Sequence, residues 1–235
     1  MAIGAVNNAT AFNVYTNYTQ SNKALEDSME ALSNGRKGVA DDAAGVSISE
    51  RMQATIGGTS MARQNVENGI SVMQTADGWM QQTNNILTRM NELAVQAVDE
   101  TKASQDRAAL QEEFSQLQTE LDRIVSSAQF NGKQLLDGSL SSATLQMGAE
   151  QGQTLDLQIA DMNSVLSAAV AGSTAVSTVS GAEAAIGSVQ TAIDDVSEQR
   201  ATIGAQQSRM ETAINGMLTY ENNIQAAESK IRDID

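Results

Sequence analysis

The sequence predicts a mainly α-helical fold: a long antiparallel helical rod, or coiled-coil bundle, that carries one small β-hairpin. Three observations lead to this prediction. Apolar residues recur every three or four positions over long segments, as on helices that pack along a seam. The 235 residues include no proline, which would break a helix. Hydrophobic residues make up 41% of the chain but aromatic residues only 3%, so the core must be built from aliphatic side chains and methionine.

An amphipathic helix is predicted within the first forty residues. It ends at Asn34 and Gly35, because both residue types accept the left-handed conformation that follows a helix. Its apolar side carries Val14, Tyr18, Leu25, Met29 and Leu32.

A second helix is predicted from about residue 41 to residue 99, with Asp41 or Asp42 as its N-cap. Its apolar stripe comprises Ile48, Met52, Thr55, Thr59, Ala62, Val66, Ile70, Met73, Ala76, Met80, Thr83, Leu87, Met90 and Ala94. A third helix begins near Ser104, a favourable N-cap, and stops at Asn131-Gly132. Its apolar seam comprises Leu110, Phe114, Leu117, Leu121, Ile124 and Ala128. The methionines of these stripes are predicted to be core residues rather than ligands.

A change in period predicts the β-hairpin, at about residues 143–160. Here apolar residues alternate with polar ones, as on a half-buried strand, and Gly152 lies in the turn. Residues 161–181 are rich in Ser, Thr, Ala and Gly and are predicted to form a short variable loop. A last long helix follows, whose seam runs from Ile186 to Ile231 in steps of three and four, with polar interruptions at Arg200, Gln207, Glu221 and Glu228.

Charge and composition exclude several functional classes. The 14 basic residues are outnumbered by 29 acidic ones, which disfavours a nucleic acid partner. No apolar run approaches the ~18–20 residues needed to cross a membrane, so no membrane association is expected. The N-terminus lacks the basic and apolar regions of a cleavable signal peptide. With neither cysteine nor histidine, the chain has no disulfides and lacks the commonest ligands of transition metals.

The remaining candidates for chemistry do not form an active site. The adjacent carboxylates Asp41-Asp42 and Asp194-Asp195 point about 100° apart on a helix, so they do not converge on one proton. Gly57-Gly58 lacks the lysine and the preceding strand of a phosphate-binding loop. We therefore expect that the protein is not an enzyme and binds no cofactor.

Several motifs closely resemble those of bacterial flagellins, and they occur in the same order. In the N-terminal half they are residues 32–36 (LSNGR), 40–45 (ADDAAG), 63–71 (RQNVENGIS), 91–97 (NELAVQA) and 130–136 (FNGKQLL). In the C-terminal part they are residues 203–209 (IGAQQSR) and 227–233 (AESKIRD). The resemblance covers nearly the whole chain.

The resemblance implies an N-terminal inner-core helix region at residues 1–40 and a helical rod domain with a β-hairpin at residues 41–235. It implies a structural subunit that self-assembles into the extracellular bacterial flagellar filament for motility. Export through the flagellar type III apparatus is implied too, with the other subunits, the export machinery and a chaperone as partners. The absence of cysteine and proline is consistent with export of an unfolded chain, because disulfide formation and proline isomerisation would slow folding after export.

The chain departs from the family pattern at its C-terminal end. Flagellins continue some forty residues beyond the Arg-Asp pair, as a helix that pairs with the N-terminal one, whereas this sequence stops at Asp235. Ordering about thirty residues costs roughly 30–60 kcal/mol of backbone entropy. Burying the large apolar side chains of the N-terminal helix returns only roughly 10–20 kcal/mol. We therefore expect a truncated or partly reported flagellin whose residues 1–40 are disordered in the free monomer.

The resemblance also implies that the vertebrate toll-like flagellin receptor recognises the chain. The family's receptor contacts correspond to Arg89, Leu93 and Glu113 of this sequence. Arg89 and Leu93 are four residues apart, on one side of the second helix. The alternative is that this surface serves only subunit packing.

Two other classes of protein share part of the pattern. A cytoplasmic signalling coiled coil of the chemoreceptor type has similar heptads and acidity but lacks these motifs and the hairpin. A hook–filament junction protein has the same architecture and export route, but it caps or adapts a filament instead of polymerising indefinitely.

Overall fold

The computed structural model describes residues 9–38, 42–170 and 174–234. They form, in order, α1 (Ala9–Asn34), α2 (Ala43–Val98), α3 (Ser104–Ser127), β1 (Gln129–Phe130), β2 (Lys133–Gln134), β3 (Ala143–Gln146), β4 (Thr154–Leu157), α4 (Met162–Val170) and α5 (Val179–Arg232). The chain divides into a terminal unit, Met1–Gly58 with Leu218–Asp235, and a central unit, Thr59–Met217. The predicted class, mainly α-helical with a small β-hairpin, is confirmed.

The predicted start of α2 is confirmed at Asp42, whereas Asp41 lies outside the described residues. The backbone N–H of Gly45 donates a hydrogen bond of 2.7 Å to Oδ1 of Asp42. Asp42 therefore satisfies one of the N–H groups that the first turn of α2 leaves without a helical partner.

The start of α3 differs from the prediction by one residue. The N-cap is Ala103 rather than Ser104, and no side chain caps the helix from that position. Instead, Oδ2 of Asp106 accepts a hydrogen bond of 3.2 Å from the backbone N–H of Ala103. An acidic residue three positions into the helix can reach back in this way, so the N-cap itself needs no polar side chain.

The core of the central unit lies between α2, α3 and α5. It is built from aliphatic residues, methionines and one phenylalanine, as the composition predicts. Residues that are fully buried include Met73, Met80, Leu87 and Met90 of α2, Phe114, Leu121 and Ile124 of α3, and Val189, Val196 and Met210 of α5. Met73, Met80 and Met90 of the predicted α2 stripe are thus core residues, whereas Met52 of the same stripe is only partly buried.

A second strand pair was not predicted. β1 and β2 pair antiparallel through Phe130 and Lys133, directly after α3. The two residues between them, Asn131 and Gly132, have φ angles of 49° and 77°. Positive φ at both central residues is typical of the tight turns that join two strands. The Asn-Gly pair therefore makes a hairpin turn, and α3 has already ended at Ser127.

The predicted hairpin is formed by β3 and β4, which pair antiparallel in the register Leu145 to Leu155. It packs closely on α2, because a Cβ atom built on Gly69 would lie 2.9 Å from Cδ2 of Leu145. Its far end is held to α5 by the side chain of Gln206. The amide of Gln206 accepts from the backbone N–H of Gln158 and donates to the carbonyl of Gln158, both at 3.2 Å.

The prediction of a variable loop at residues 161–181 is wrong for its first half. Residues Met162–Val170 form α4, in which Met162, Leu166 and Ala169 are buried at helical spacing. The side-chain amide of Gln118 on α3 donates to the carbonyl of Ala169 at 3.0 Å. Beyond α4, Val176 is also buried. These contacts add the segment to the core of the central unit.

The terminal unit has a smaller buried set. Val46, Ser49 and Glu228 are buried between α2 and α5, whereas α1 has no buried residue. Gly35 follows α1 with a φ of 66°, as its predicted role at the helix end requires. A domain boundary near residue 40 and the disorder of residues 1–40 in the free monomer stay predictions.

Candidate assembly surface

The most distinctive surface of the chain is one side of α1. Its large apolar side chains are between 59% and 75% exposed, although side chains of these types are usually buried in a folded protein. We call this surface the apolar face of α1; it consists of Phe12, Val14, Tyr15, Tyr18, Leu25, Met29 and Leu32. A continuous exposed apolar surface marks a place where another protein surface binds.

The spacing along this face indicates what kind of surface would cover it. Most of its residues follow one another in steps of three and four, with a single polar position, Asn22, inside the series. Such spacing is typical of a helix that packs along another helix. A polar residue at one seam position fixes the register and the number of helices in a coiled coil.

The end of α1 is attached to the C-terminal segment of the terminal unit. Arg36 and Asp233 form an antiparallel bridge, and their side chains approach to 3.8 Å between Nε and Oδ1. The backbone N–H of Lys37 donates to the carbonyl of Arg232 at 2.8 Å. These contacts fix the position at which the chain leaves α1.

A buried polar cluster joins α2 to α5 next to this attachment. Glu228 is 6% exposed, and its Oε1 accepts hydrogen bonds from Oγ of Ser49 at 2.8 Å and from Nε2 of Gln53 at 2.9 Å. The sequence predicted Glu228 only as a polar interruption of the α5 seam. Its partners lie in α2, which no pattern within α5 could reveal.

Two of the three predicted receptor contacts lie together in the central unit. Nη2 of Arg89 on α2 lies 2.8 Å from Oε1 of Glu113 on α3, and both side chains are about half exposed. Nη1 of Arg89 also donates to Oε2 of Glu92 at 3.0 Å. The hydrogen bond with Glu113, more than that with Glu92, raises the pKa of Arg89 above its ordinary value. Sequence reasoning missed Glu92, although its position three residues after Arg89 is a signal for such a pair.

The third predicted contact residue, Leu93, does not belong to this exposed surface. Its side chain is 1% exposed and is part of the core of the central unit. It continues a run of buried α2 residues, Ile86, Met90, Leu93 and Ala97, in steps of four, three and four. This run predicts burial of Leu93 from the sequence, whereas the four-residue spacing from Arg89 says only that the two residues lie on one side of the helix.

A second ion pair explains the polar interruption at Arg200 of α5. Nε of Arg200 donates to Oδ1 of Asp77 on α2 at 2.7 Å, and Nη2 lies 3.4 Å from Oδ2. This two-pronged hydrogen bonding raises the pKa of Arg200 above its ordinary value, against a smaller opposing effect of burial. The pair fixes the register of α2 and α5 within the central unit.

Comparison with known proteins identifies the family. The sequence matches the bacterial flagellin N-terminal helical region over residues 6–141 and the bacterial flagellin C-terminal helical region over residues 186–235. The chain belongs to the flagellin family.

Relatives across much of the chain support this membership. A flagellin of Halalkalibacterium halodurans is 41% identical over 225 residues, which cover 95% of this chain and 81% of that protein. A flagellar filament 31.3 kDa core protein of Treponema maltophilum is 38% identical over 230 residues, which cover 91% of this chain and 80% of that protein.

Solved structures agree with the fold. The crystal structure of Bacillus cereus flagellin matches with a TM-score of 0.59 at 30% identity, covering 66% of this chain and 88% of that one. The structure of a putative flagellar hook-associated protein from Vibrio parahaemolyticus matches with a TM-score of 0.65 over 82% of this chain and 100% of that one. At 13% identity, this second likeness shows the fold alone.

Flagellins are structural proteins, and membership of the family places the chain among the extracellular subunits of the bacterial flagellar filament. None of the helices in the described ranges combines the length and the apolar character that crossing a bilayer requires. Within the same ranges, no three acidic side chains are grouped so that they could hold a metal ion.

Proposed function

We propose that the chain polymerises into the flagellar filament through the apolar face of α1, and that residues 1–40 form the inner core of that filament. One observation supports this proposal above all others: seven large apolar side chains are exposed on a helix that has no buried residue. In a family whose members are filament subunits, neighbouring copies are the natural partners of such a face.

Burial of the apolar face contributes to the stability of an assembly. Complete burial of one large apolar side chain contributes about 1.5–3 kcal/mol. Seven of them therefore contribute roughly 10–20 kcal/mol, which partly offsets the entropy lost when α1 is held against its neighbours. Burial of the apolar face stabilises α1 in a filament, whereas in an isolated chain the face stays exposed and gives no such stabilisation.

Seeded growth tests the proposal. We expect the purified protein, added to sheared fragments of its own filaments, to elongate them into long tubes that sediment. Leu25→Asn places a polar group on the apolar face and is expected to raise the critical concentration at least about tenfold, as a loss of 1.4 kcal/mol would. Glu26→Gln changes the neighbouring exposed position and serves as the matched control. Equal elongation by both variants would overturn the role of the face.

The length of the assemblies separates the filament subunit from a hook–filament junction protein. A filament subunit elongates seeds until the free protein is depleted. A junction protein binds the seed ends and stops, so its assemblies do not lengthen with added protein. The structural likeness to the Vibrio parahaemolyticus protein supports only a common fold, and elongation decides between the two roles.

The proposal includes export through the flagellar type III apparatus, with a chaperone that holds the chain before transit. The absence of cysteine and proline supports it, because neither disulfide exchange nor proline isomerisation would delay folding outside the cell. Loss of secretion in a strain that lacks the flagellar export gate is the expected result. Secretion that persists in that strain would exclude this route.

Recognition by the vertebrate toll-like flagellin receptor is proposed to use the exposed pair Arg89 and Glu113, with Leu93 supporting α2 from the core side. The double variant Arg89→Ala, Glu113→Ala is expected to lose receptor activation in a reporter cell line. The ion pair of Arg123 and Glu120 on α3 is also exposed, with 2.5 Å between its charged atoms. Arg123→Ala is therefore the matched control, and equal activation by both variants would remove the assignment.

A further inference from the structure

Among the methionines that the structure describes, two differ from the others in their exposure. The side chain of Met29 on α1 is 64% exposed and that of Met61 on α2 is 57% exposed. In contrast, Met73, Met80, Met90, Met162 and Met210 are all fully buried. An oxidant in solution therefore reaches the sulfur atoms of Met29 and Met61 long before those of the core.

The surroundings of the two exposed methionines are different. Met29 lies on the apolar face of α1, four residues after Leu25 and three before Leu32. Met61 has polar or small residues at the helical neighbour positions: Gly57, Gln64, Asn65 and Asn68. The same chemical change therefore has unequal consequences, because it disrupts an apolar contact surface at Met29 and only a solvated one at Met61.

The oxidation step needs only a peroxide as the co-reactant. A lone pair of the thioether sulfur attacks one oxygen of hydrogen peroxide, an S–O bond forms and the O–O bond breaks. The sulfur loses two electrons and becomes a sulfoxide, while the second oxygen leaves with both protons as water. A methionine sulfoxide reductase reverses the change with two electrons from a dithiol, which becomes a disulfide while the sulfoxide oxygen leaves as water.

We propose that Met29 is a reversible oxidation site that controls assembly of the free subunit. This inference rests on the proposed function, in which the apolar face of α1 is buried between subunits. The sulfoxide is polar and cannot be buried there without losing its hydrogen bonds to water. Peroxide therefore blocks assembly of the free subunit, and Met29 is shielded once the filament has formed.

Peptide mapping by mass spectrometry tests the reactivity by itself. The free protein is treated with hydrogen peroxide at limiting concentration, and the sulfoxide fraction is followed at each methionine. Met29 and Met61 are expected to oxidise at similar rates, at least about tenfold faster than Met73, Met80 and Met90. In filaments, Met29 is expected to oxidise at least about tenfold more slowly than in the free protein. Slow oxidation of Met29 in the free protein would overturn the inference.

Seeded elongation tests the consequence. Peroxide-treated protein is expected to have a critical concentration at least about tenfold higher than untreated protein, and methionine sulfoxide reductase is expected to restore it. Met29→Leu has no sulfur at this position, so its critical concentration is expected to be the same before and after peroxide treatment. Met61→Leu is the matched control and is expected to stay sensitive. Met29→Gln, which carries a polar group without oxidation, is expected to elongate as poorly as the oxidised protein.

The outcomes distinguish this inference from the proposed function. Where untreated protein elongates seeds but Met29→Leu is as sensitive to peroxide as the unmodified chain, the oxidation site is wrong and the proposed function stands. Where untreated protein does not elongate seeds at all, the proposed function is wrong, and control of assembly by Met29 is wrong with it. Normal elongation by Met29→Gln would also overturn the inference.

Discussion

Replacing Glu228 with alanine is expected to destabilise the terminal unit by about 2–4 kcal/mol. The carboxylate is 6% exposed and accepts hydrogen bonds from Ser49 and Gln53. Alanine removes the acceptor and leaves space between α2 and α5. The consequences for the two donors differ, and this difference sets the magnitude.

The hydroxyl of Ser49 is on a fully buried residue, so without its acceptor it costs about 1–3 kcal/mol. The side chain of Gln53 is exposed, and its amide can donate to water instead at little cost. The Cγ methylene of Glu228 also loses its packing, at about 0.8 kcal/mol. The sum is about 3 kcal/mol, reduced where removal of a desolvated carboxylate relieves its own burial cost.

Amide hydrogen exchange measures this loss locally. A loss of about 3 kcal/mol raises exchange of the protected amides in residues 44–58 and 218–232 about a hundredfold. Glu228→Gln keeps an oxygen that can accept from Ser49, so its exchange is expected to rise no more than about tenfold. Gln53→Ala is expected to have a still smaller effect. Equal rates in the alanine and glutamine variants of Glu228 would refute the role of the hydrogen bonds.

Three further predictions concern other parts of the chain. In the free monomer, the amides of residues 9–34 are expected to exchange with little protection and to become protected in filaments; strong protection in the monomer would contradict the arithmetic of the apolar face. Hydrogen bonds from the side chain and backbone of Thr101 lower the pKa of Asp99, so this carboxylate contributes stability that is lost as the pH falls below about 4. Thermal unfolding of Asp99→Asn should therefore depend less on pH between 7 and 3, and an unchanged dependence would contradict this. Gly78→Ala has open space around the new Cβ and is expected to stabilise the protein by about 0.5–1 kcal/mol. Gly69→Ala forces Leu145 aside, so its free energy of unfolding in urea is expected to be at least about 1 kcal/mol lower than that of Gly78→Ala. Equal free energies of unfolding for the two variants would show that the hairpin is not packed tightly at Gly69.

The long helices were predictable because their signal repeats many times. In α2 and α5 the steps of three and four recur over several turns, so a glycine or a polar interruption does not hide the pattern. The β3–β4 hairpin was predictable because its period of two contrasts with that of its neighbours. Asp42 could be found because capping depends on neighbouring residues alone.

The short elements were missed for physical reasons. β1 and β2 have two residues each, too few for an alternating pattern, and the Asn-Gly turn between them is equally compatible with a helix stop. α4 has nine residues, and its alanine and serine content resembles that of a loop. Its stability comes from contacts with α3, which are far away in sequence.

The candidate surfaces were predictable only as far as local spacing allows. The apolar side of α1 was visible in the sequence, but its exposure was not, because exposure depends on what packs against it. Arg89 and Leu93 were placed on one side of a helix by their spacing, yet one is half exposed and the other is buried. The partners of Arg200 and Glu228 lie more than a hundred positions away, beyond the reach of any local pattern.

The buried polar cluster that joins α2 to α5 in the terminal unit has a consequence for the order of folding. Ser49 and Glu228 are 179 positions apart, and bringing them together in an unfolded chain costs about 5 kcal/mol of loop-closure entropy. The central unit uses one continuous stretch, so its contacts can form while the C-terminal residues are still absent. A chain that emerges N-terminus first, from a ribosome or from a pore, can complete its terminal unit only when those last residues arrive. The attachment of α1 therefore forms last. The position of α1 next to this attachment is fixed only after residues 228–233 have emerged.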